Sequence, residues 1–525
     1  MDKSFHFFSA IISFIGFTSN LNALDQPPSV LFCLSENHPV KFLEHFEEAR
    51  STFIPCPQLN NLIHEGISHP LAYCTDSSRG LTAFPFLSGK RRINGLINFK
   101  PSRSLAFHFK SLGYETVMFG SWLWKQNPDY LGFDSWEILD DPQIFINPRI
   151  KNKHGTYSSE GHTTDVITDL IIKWRKTRAD NKPFFAFISY QSTSRPWIPP
   201  IRMVGKYNDE WFETPDSFFS DLANLAPASK YQKMNISSDL DTEHDLFLQN
   251  KPESNSSSKG SSIWDKNWNS MNDEQKTAWT LSWKSQNEAF ARENPQGESF
   301  FIWKYQRFIK NYLRCLYAMD ENIGRLIDCF KSYKKNNFQF IYSAERGRFI
   351  GEYGWFGSEW MYEPSSRIPL VIANFAKDHS LHLDTENFFE DFELFDLLTG
   401  FENRKRHEYK KTVGDLNQST DKNVLFFSQN LHPSEYGVSP HHGFRKGKFK
   451  IIHYFPFNEW EFFDLENDPN EQNNLINQET LSDTIAEYKL ALKNYVDEVL
   501  KSSQDKMLYS EDWKRDQRSP KNKTR

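Results

Sequence analysis

Between Tyr73 and Arg91 the chain reads YCTDSSRGLTAFPFLSGKR. This stretch holds a thiol at Cys74, hydroxyls at Ser77, Ser78 and Thr82, and a guanidinium at Arg79. A thiolate, or a hydroxyl relieved of its proton, can attack an electrophilic centre. A hydroxyl needs a base for that, and no histidine stands inside the stretch. The histidines that invite a metal argument lie elsewhere, at His38 and at His441–His442 before Gly443. Adjacent histidines on a loop more often meet solvent or bond backbone than ligate a metal, so no metal role is expected of them. Cys33, Cys56, Cys74, Cys315 and Cys329 are too few for a disulfide scaffold. Their odd number leaves one free or all reduced, and no pair has zinc-finger spacing.

These groups must be held by folded elements. Nearly continuous apolar runs recur at Ser29–Leu34, Glu115–Gly120, Phe184–Tyr190, Phe338–Ser343 and Pro369–Asn374. Such runs suit strands buried on both faces. Helical patterns lie between them, as in Val166, Ile167, Leu170, Ile171 and Trp174. A longer one carries Tyr312, Cys315, Leu316, Met319, Ile323, Leu326, Ile327 and Phe330 on one face. Alternating strands and helices predict an α/β domain over residues 24–415, with a large, mostly parallel sheet between helices. Residues 205–300 read as an insertion, partly disordered, with the Ser/Asn-rich run 235–266 at its centre. From about residue 416 the texture changes. Val424–Ser428, Lys448–Phe455 and Trp460–Leu465 read as antiparallel strands, and Glu479–Leu500 as an amphipathic helix, making a smaller subdomain over 416–502. Residues 503–525 read as a flexible tail.

The chain has 525 residues, 38% hydrophobic and 25% charged, with 47 Phe and 15 Trp to fill a core. A net charge of −6 and the lack of a basic stripe give no reason to expect nucleic acid as a partner. Lys3, the apolar run Phe5–Phe17 and Leu21-Asn22-Ala23 read as a signal peptide over residues 1–23. That run is shorter than the ~20 residues a membrane span needs. A secreted or periplasmic protein without a membrane span is expected.

Five segments, in order, carry a resemblance. They are PPSVLFCLSENH, LGYETVMFGSW, WKYQRFIKNYLRCLYAMDENIGRLID, YSAERGRFIGEYGWFGSEWMYEPSSRIPLVI and GKFKIIHYFPFNEWEFFDLENDPNEQNNL. Together with the 73–91 stretch they resemble the sulfatase family, especially large secreted bacterial sulfatases of the alkaline-phosphatase superfamily. The likeness runs over about residues 28–480 and implies the alkaline-phosphatase-like sulfatase fold. It also implies a chemistry. A Cys or Ser is converted to formylglycine, whose hydrate attacks sulfur. Calcium held by carboxylates and an amide or imidazole stabilises the developing charge, with Lys, Arg and His assisting.

The positions that match those roles are substituted. Run without gaps from His64–Ser68 to Gly89, the register puts Arg79 on the nucleophile, Thr82 on the box Ser and Ala83 on the box Arg. Cys74 falls five residues early, where it reads as a small buried hydrophobe. A guanidinium cannot become an aldehyde hydrate. The metal positions hold Glu36, Asn37, Glu345 and Arg346. The Glu and Asn side chains could ligate calcium, but Arg346 would be repelled by several kcal/mol. Family Lys and His positions hold Ser121, Leu123, Gln191, Ser194 and Ser358. Packing residues persist, among them Gly120, Pro196-Trp197, Gly351-Glu352, Met361-Tyr362-Glu363 and Arg367. The resulting expectation is a sulfatase-like chain without sulfuric ester hydrolysis and without a cofactor. It would bind a sulfated or otherwise anionic glycan, or a partner, with Arg79 and Arg346 as possible anion contacts. The competing expectation is an active sulfatase with an atypical site built on Ser77, Ser78 or Thr82, in which calcium would be the cofactor. If no metal is bound, one guanidinium is expected to pair with Glu36 or Glu345.

Overall fold

The structure is a computed structural model and describes residues 27–44, 55–76, 83–91, 100–179, 182–248, 259–333, 337–376, 383–400, 423–429 and 434–502. The signal-peptide reading of 1–23, the tail 503–525 and Ser77, Ser78, Arg79 and Thr82 lie outside the described residues.

The strands in chain order are β1 (Ser29–Asn37), β2 (Ile67–Ser68), β3 (Ala72–Tyr73), β4 (Glu115–Gly120), β5 (Ser135–Leu139), β6 (Arg149–Asn152), β7 (Gly155–Ser158), β8 (Phe184–Tyr190), β9 (Phe338–Arg346), β10 (Leu370–Asn374) and β11 (Phe389–Glu390). Nine of them form one sheet in the order β2-β10-β9-β1-β8-β4-β5-β6-β7. The centre, β9-β1-β8-β4-β5, is parallel, and the flanking pairs are antiparallel. Every residue of β1, β8 and β9 is buried. That is why these segments lack alternation and read as unbroken apolar runs.

Helices cover the sheet. Gly297–Lys331 spans 35 residues and turns Phe308, Tyr312, Cys315, Leu316, Met319 and Ile323 into the core. Asp320 on this helix accepts hydrogen bonds at 2.9 Å from the backbone of Gln58 and Leu59. It thereby receives two otherwise unpaired amides at the start of the Pro57–Glu65 helix. Gly120 closes β4 with φ 103°, and a Cβ there would stand 2.2 Å from the Ser189 carbonyl oxygen. Only glycine lets the chain leave the sheet so close to β8.

In the 205–300 stretch the residues outside the description are 249–258. Beyond them come two helices, Lys259–Ser270 and Asp273–Glu293. They have their own core, Trp264, Trp279 and Trp283 packed around Phe247. The Asn267 side chain also binds the backbone of Phe145 and Gln143.

The C-terminal sheet has four antiparallel strands, β12 (Val424–Gln429), β13 (His441–Lys446), β14 (Phe449–Tyr454) and β15 (Glu459–Asp464). One of its faces, with Phe427, Ile452, Tyr454 and Phe463, joins the main core. The other, with Phe426, Phe444, Ile451 and Phe462, packs under the helix Ser482–Ser502. His441 and His442 open β13 rather than sitting in a loop.

Candidate functional site

Parallel strands β1 and β9 are neighbours, and their register sets Asn37 opposite Arg346. Both strands run past their apolar segments, so Glu36, Asn37, Glu345 and Arg346 all gather at the C-terminal edge of the sheet. In open α/β sheets this edge is where functional groups collect.

Arg346 is almost fully buried, at 1% exposure. Its Nε donates to Asn37 Oδ1 at 2.9 Å, and one terminal nitrogen donates to Glu36 Oε1 at 2.9 Å. The expected pairing of a guanidinium with Glu36 is therefore present, made by Arg346. Burial alone would pull its pKa down. The charges of Glu36, Glu359, Glu345 and Glu435 outweigh burial and hold it above the usual arginine value. A calcium ion seeks six to eight oxygens at 2.3–2.6 Å. Here two of the candidate oxygens, Glu36 Oε1 and Asn37 Oδ1, already accept from a cation. The donor set does not fit calcium while Arg346 lies there.

The positions of the missing amines and imidazoles are neutral. Ser121 Oγ donates to Gln191 Oε1 at 2.8 Å, so two residues standing where lysines are expected bond each other. Ser194 and Ser358 are buried, and neither hydroxyl has a hydrogen-bond partner among the described residues. Leu123 points outward with 37% exposure. Ala83 precedes the short helix Phe84–Ser88, which ends on Gly89 in the left-handed region at φ 64°.

Cys74 is completely buried. Burial, then the charges of Asp391 and Asp76, push its thiol well above the ordinary value. It remains a thiol, packed against the Ser365 carbonyl. All five cysteines are free. His38 Nδ1 lies 2.6 Å from the Tyr342 hydroxyl, which donates to Ser35. Burial lowers His38 to about 3. His441 bonds the Ser439 carbonyl and stacks on Phe427. His442 bonds Ser428 and stacks on Phe455. Burial lowers these two to about 4 and about 3, and none of the three histidines carries charge at neutral pH.

Two carboxylates escaped the sequence reading. Glu359 is fully buried with φ 81°, and its Oε1 has no hydrogen-bond partner among the described residues. Burial and the nearby charge of Glu435 raise it to about 7, against the pull of Arg346. The signal for Glu359 was its place beside Ser358. Glu435 comes from the segment before β13, and nothing in the local sequence marks it.

The packing residues hold the two sheets together. Glu363 accepts from Arg445 at 2.8 Å, Lys450 at 2.7 Å and Tyr73 at 2.8 Å. Tyr362 donates to Glu461 at 2.7 Å. Arg367 Nε donates to the Pro70 carbonyl at 2.9 Å.

Comparison with known proteins agrees with this architecture. Residues 28–382 match the sulfatase family model, and 351–498 match the model described as N-sulphoglucosamine sulphohydrolase, C-terminal. An N-acetylglucosamine-6-O-sulfatase of Bacteroides thetaiotaomicron is 26% identical over 469 residues, which is 85% of this chain and 82% of the relative. An arylsulfatase of Clostridium perfringens is 22% identical over 458 residues, 82% of this chain and 87% of the relative. The solved structure of BT4656 in complex with its substrate, D-glucosamine-2-N,6-O-disulfate, superimposes with a TM-score of 0.78 at 25% identity, covering 90% of this chain and 99% of that one. With the family model spanning well over half of its length, the chain belongs to the sulfatase family and has the alkaline-phosphatase-like fold.

Proposed function

We propose that this chain is a sulfatase-family protein that has lost sulfuric ester hydrolysis and binds a sulfated or otherwise anionic glycan. The observation that carries the first part is the Arg346 guanidinium seated between Glu36 and Asn37. Hydrolysis concentrates negative charge on the leaving and attacking oxygens. A catalyst must meet that charge with fixed cations and donors. In this chain Ser121 and Gln191 are bonded to each other, and Ser194, Leu123 and Ser358 hold the other amine and imidazole positions. Losing even one such donor costs about 10²–10³ in rate in a hydrolase where it has been measured.

The ligand class rests on the structural neighbour, which is solved with a disulfated glucosamine. Arg346 already donates to Glu36 and Asn37, so we assign the anion contact to Arg79 rather than to Arg346. We place the protein outside the cytoplasm, on the strength of the N-terminal segment. Among the described residues no helix is long and apolar enough to cross a membrane. The names of the relatives favour the second reading, an active sulfatase with an atypical site.

Glucosamine 6-sulfate, D-glucosamine-2-N,6-O-disulfate and an aryl sulfate, each incubated with the purified chain with and without calcium, separate the two. The expected result is no sulfate release, with binding of at least one sulfated sugar by calorimetry that weakens in Arg79→Ala. Catalytic turnover of any of the three overturns the loss of hydrolysis. Equal affinity in Arg79→Ala overturns the anion contact.

A further inference from the structure

We propose that a chloride-sized inorganic anion binds where the long helix Gly297–Lys331 meets the helix Asp273–Glu293, between the guanidiniums of Arg307 and Arg314. Arg307, Asn311 and Arg314 stand at i, i+4 and i+7 and so share one face of the long helix. All three are buried, at 4%, 0% and 0% exposure. Both guanidiniums lie against one indole, that of Trp283, at 3.9 Å and 5.2 Å from its ring centroid. Their hydrogen-bond partners are neutral. Arg307 donates to the carbonyls of Leu246 and Phe247 and to the amide oxygens of Gln286, at 2.7 Å, and Asn287, at 2.8 Å. Arg314 donates to the Lys206 carbonyl and to the amide oxygens of Asn311, at 2.8 Å, and Asn208, at 2.7 Å. Among the described residues no carboxylate accepts from either guanidinium. An indole attracts a guanidinium through its ring but carries no net charge. Two buried positive charges therefore share one ring without a counter-charge.

Arg346 shows the difference that a counter-charge makes. There, nearby carboxylates outweigh burial. Here burial, and then the charge of Arg314, pull Arg307 well below the usual arginine value, and burial lowers Arg314 to about 10. Glu210, which acts on Arg314, is itself exposed. The unpaired groups beside the two guanidiniums are donors as well. Each arginine draws in the oxygen of a neighbouring amide, which turns the amide nitrogen away. Asn311 Nδ2 and Gln286 Nε2 are thereby left buried with no hydrogen-bond partner among the described residues, and so is Trp283 Nε1. Amide and indole N–H groups can only donate. Two positive charges and three unpaired donors call for one acceptor that bears negative charge, and hydrogen bonds to such an acceptor are the strong ones. Burial favours a compact ion over an organic carboxylate or a sugar sulfate. Bound there, the anion braces the Asp273–Glu293 helix against the long helix. None of these residues stands at the edge of β1 and β9, and their roles do not depend on whether sulfate esters are cleaved.

Thermal denaturation of wild type, Asn311→Asp and Gln286→Glu in sodium chloride from about 1 to 300 mM tests the site, with ionic strength held constant by the bulky anion gluconate. Wild type should melt higher by roughly 1–3 °C as chloride rises, and the rise should follow the binding of one ligand. Each variant supplies the counter-charge from the chain itself. Each should melt above wild type at the lowest chloride and lose the chloride response. If only one of the two folds, its response decides. A wild type indifferent to chloride at constant ionic strength overturns the proposal. A chloride response as large in the variants as in wild type also overturns it and marks an adventitious ion only. Failure of both variants to fold at low chloride overturns it too, because a carboxylate beside two uncompensated guanidiniums should stabilise the chain.

Discussion

A guanidinium and a divalent cation satisfy the same carboxylates to different degrees. Arg346 brings one positive charge to a group that includes Glu36, Glu345, Glu359 and Glu435. The shortfall appears at Glu359, which burial and the Glu435 charge hold protonated up to about pH 7. This has a consequence for stability. Between the ordinary glutamate value and about 7 the folded chain keeps a proton that the unfolded chain has released. The folded state then binds more protons, so this residue's contribution to stability falls as pH rises through that window. Glu359→Gln cannot titrate and should escape the loss. The variant should match wild type near pH 5 and exceed it at pH 8 by at most about 3 kcal/mol. Urea unfolding at the two pH values measures the difference, and a gap that does not change with pH would contradict the assignment.

At the scale of elements, apolar runs located strands well and polar strand ends poorly. The apolar runs of β1 and β9 finish at Leu34 and Ser343, but the strands continue to Asn37 and Arg346. Backbone pairing does not stop where apolar side chains do, and the polar ends carry the site. β13 went unread for a related reason. His441 and His442 are polar by type, yet both are buried and neutral against Phe427 and Phe455. The Lys259–Ser270 and Asp273–Glu293 helices were hidden by the Ser/Asn-rich run before them. Their tryptophans at 264, 268, 279 and 283 recur at helical spacing and were the available sign. Glu36, Asn37, Glu345 and Arg346 could be read as one group because motif resemblance supplies long-range neighbours that periodicity cannot. Glu435 could not. Its approach to Arg346 depends on how the C-terminal sheet docks, and no local pattern records that.

At the scale of the whole molecule, docking centres on a buried ion cluster. Glu363, before β10, meets Arg445 on β13 and Lys450 on β14, while Lys450 also meets Glu471 at 2.8 Å. Burial would raise the Glu363 carboxyl. Arg445, Lys450 and Arg367 overcome that and hold it well below the usual carboxylate range. Tyr73 on β3 bonds the same carboxylate, so the cluster ties the C-terminal sheet to the strand just before Cys74. Taking one partner from such a cluster leaves a buried charge uncompensated, at a cost of about 3–5 kcal/mol. Glu363→Gln should therefore lower the unfolding free energy by that order, seen as a lower urea midpoint, and expose the β12–β15 region to limited proteolysis first. An unchanged midpoint would show that the apolar faces alone hold the two sheets together.

The central claim is that a guanidinium, not a metal, occupies the edge of β1 and β9. A crystal structure of the wild-type chain grown in 10 mM calcium chloride with a sulfated glucosamine tests it most directly. The account predicts density for the Arg346 guanidinium within hydrogen-bond distance of Glu36 and Asn37, no ion between them, and an uncleaved sulfate ester. A calcium peak ligated by Glu36 and Asn37, with Arg346 turned away, would contradict it.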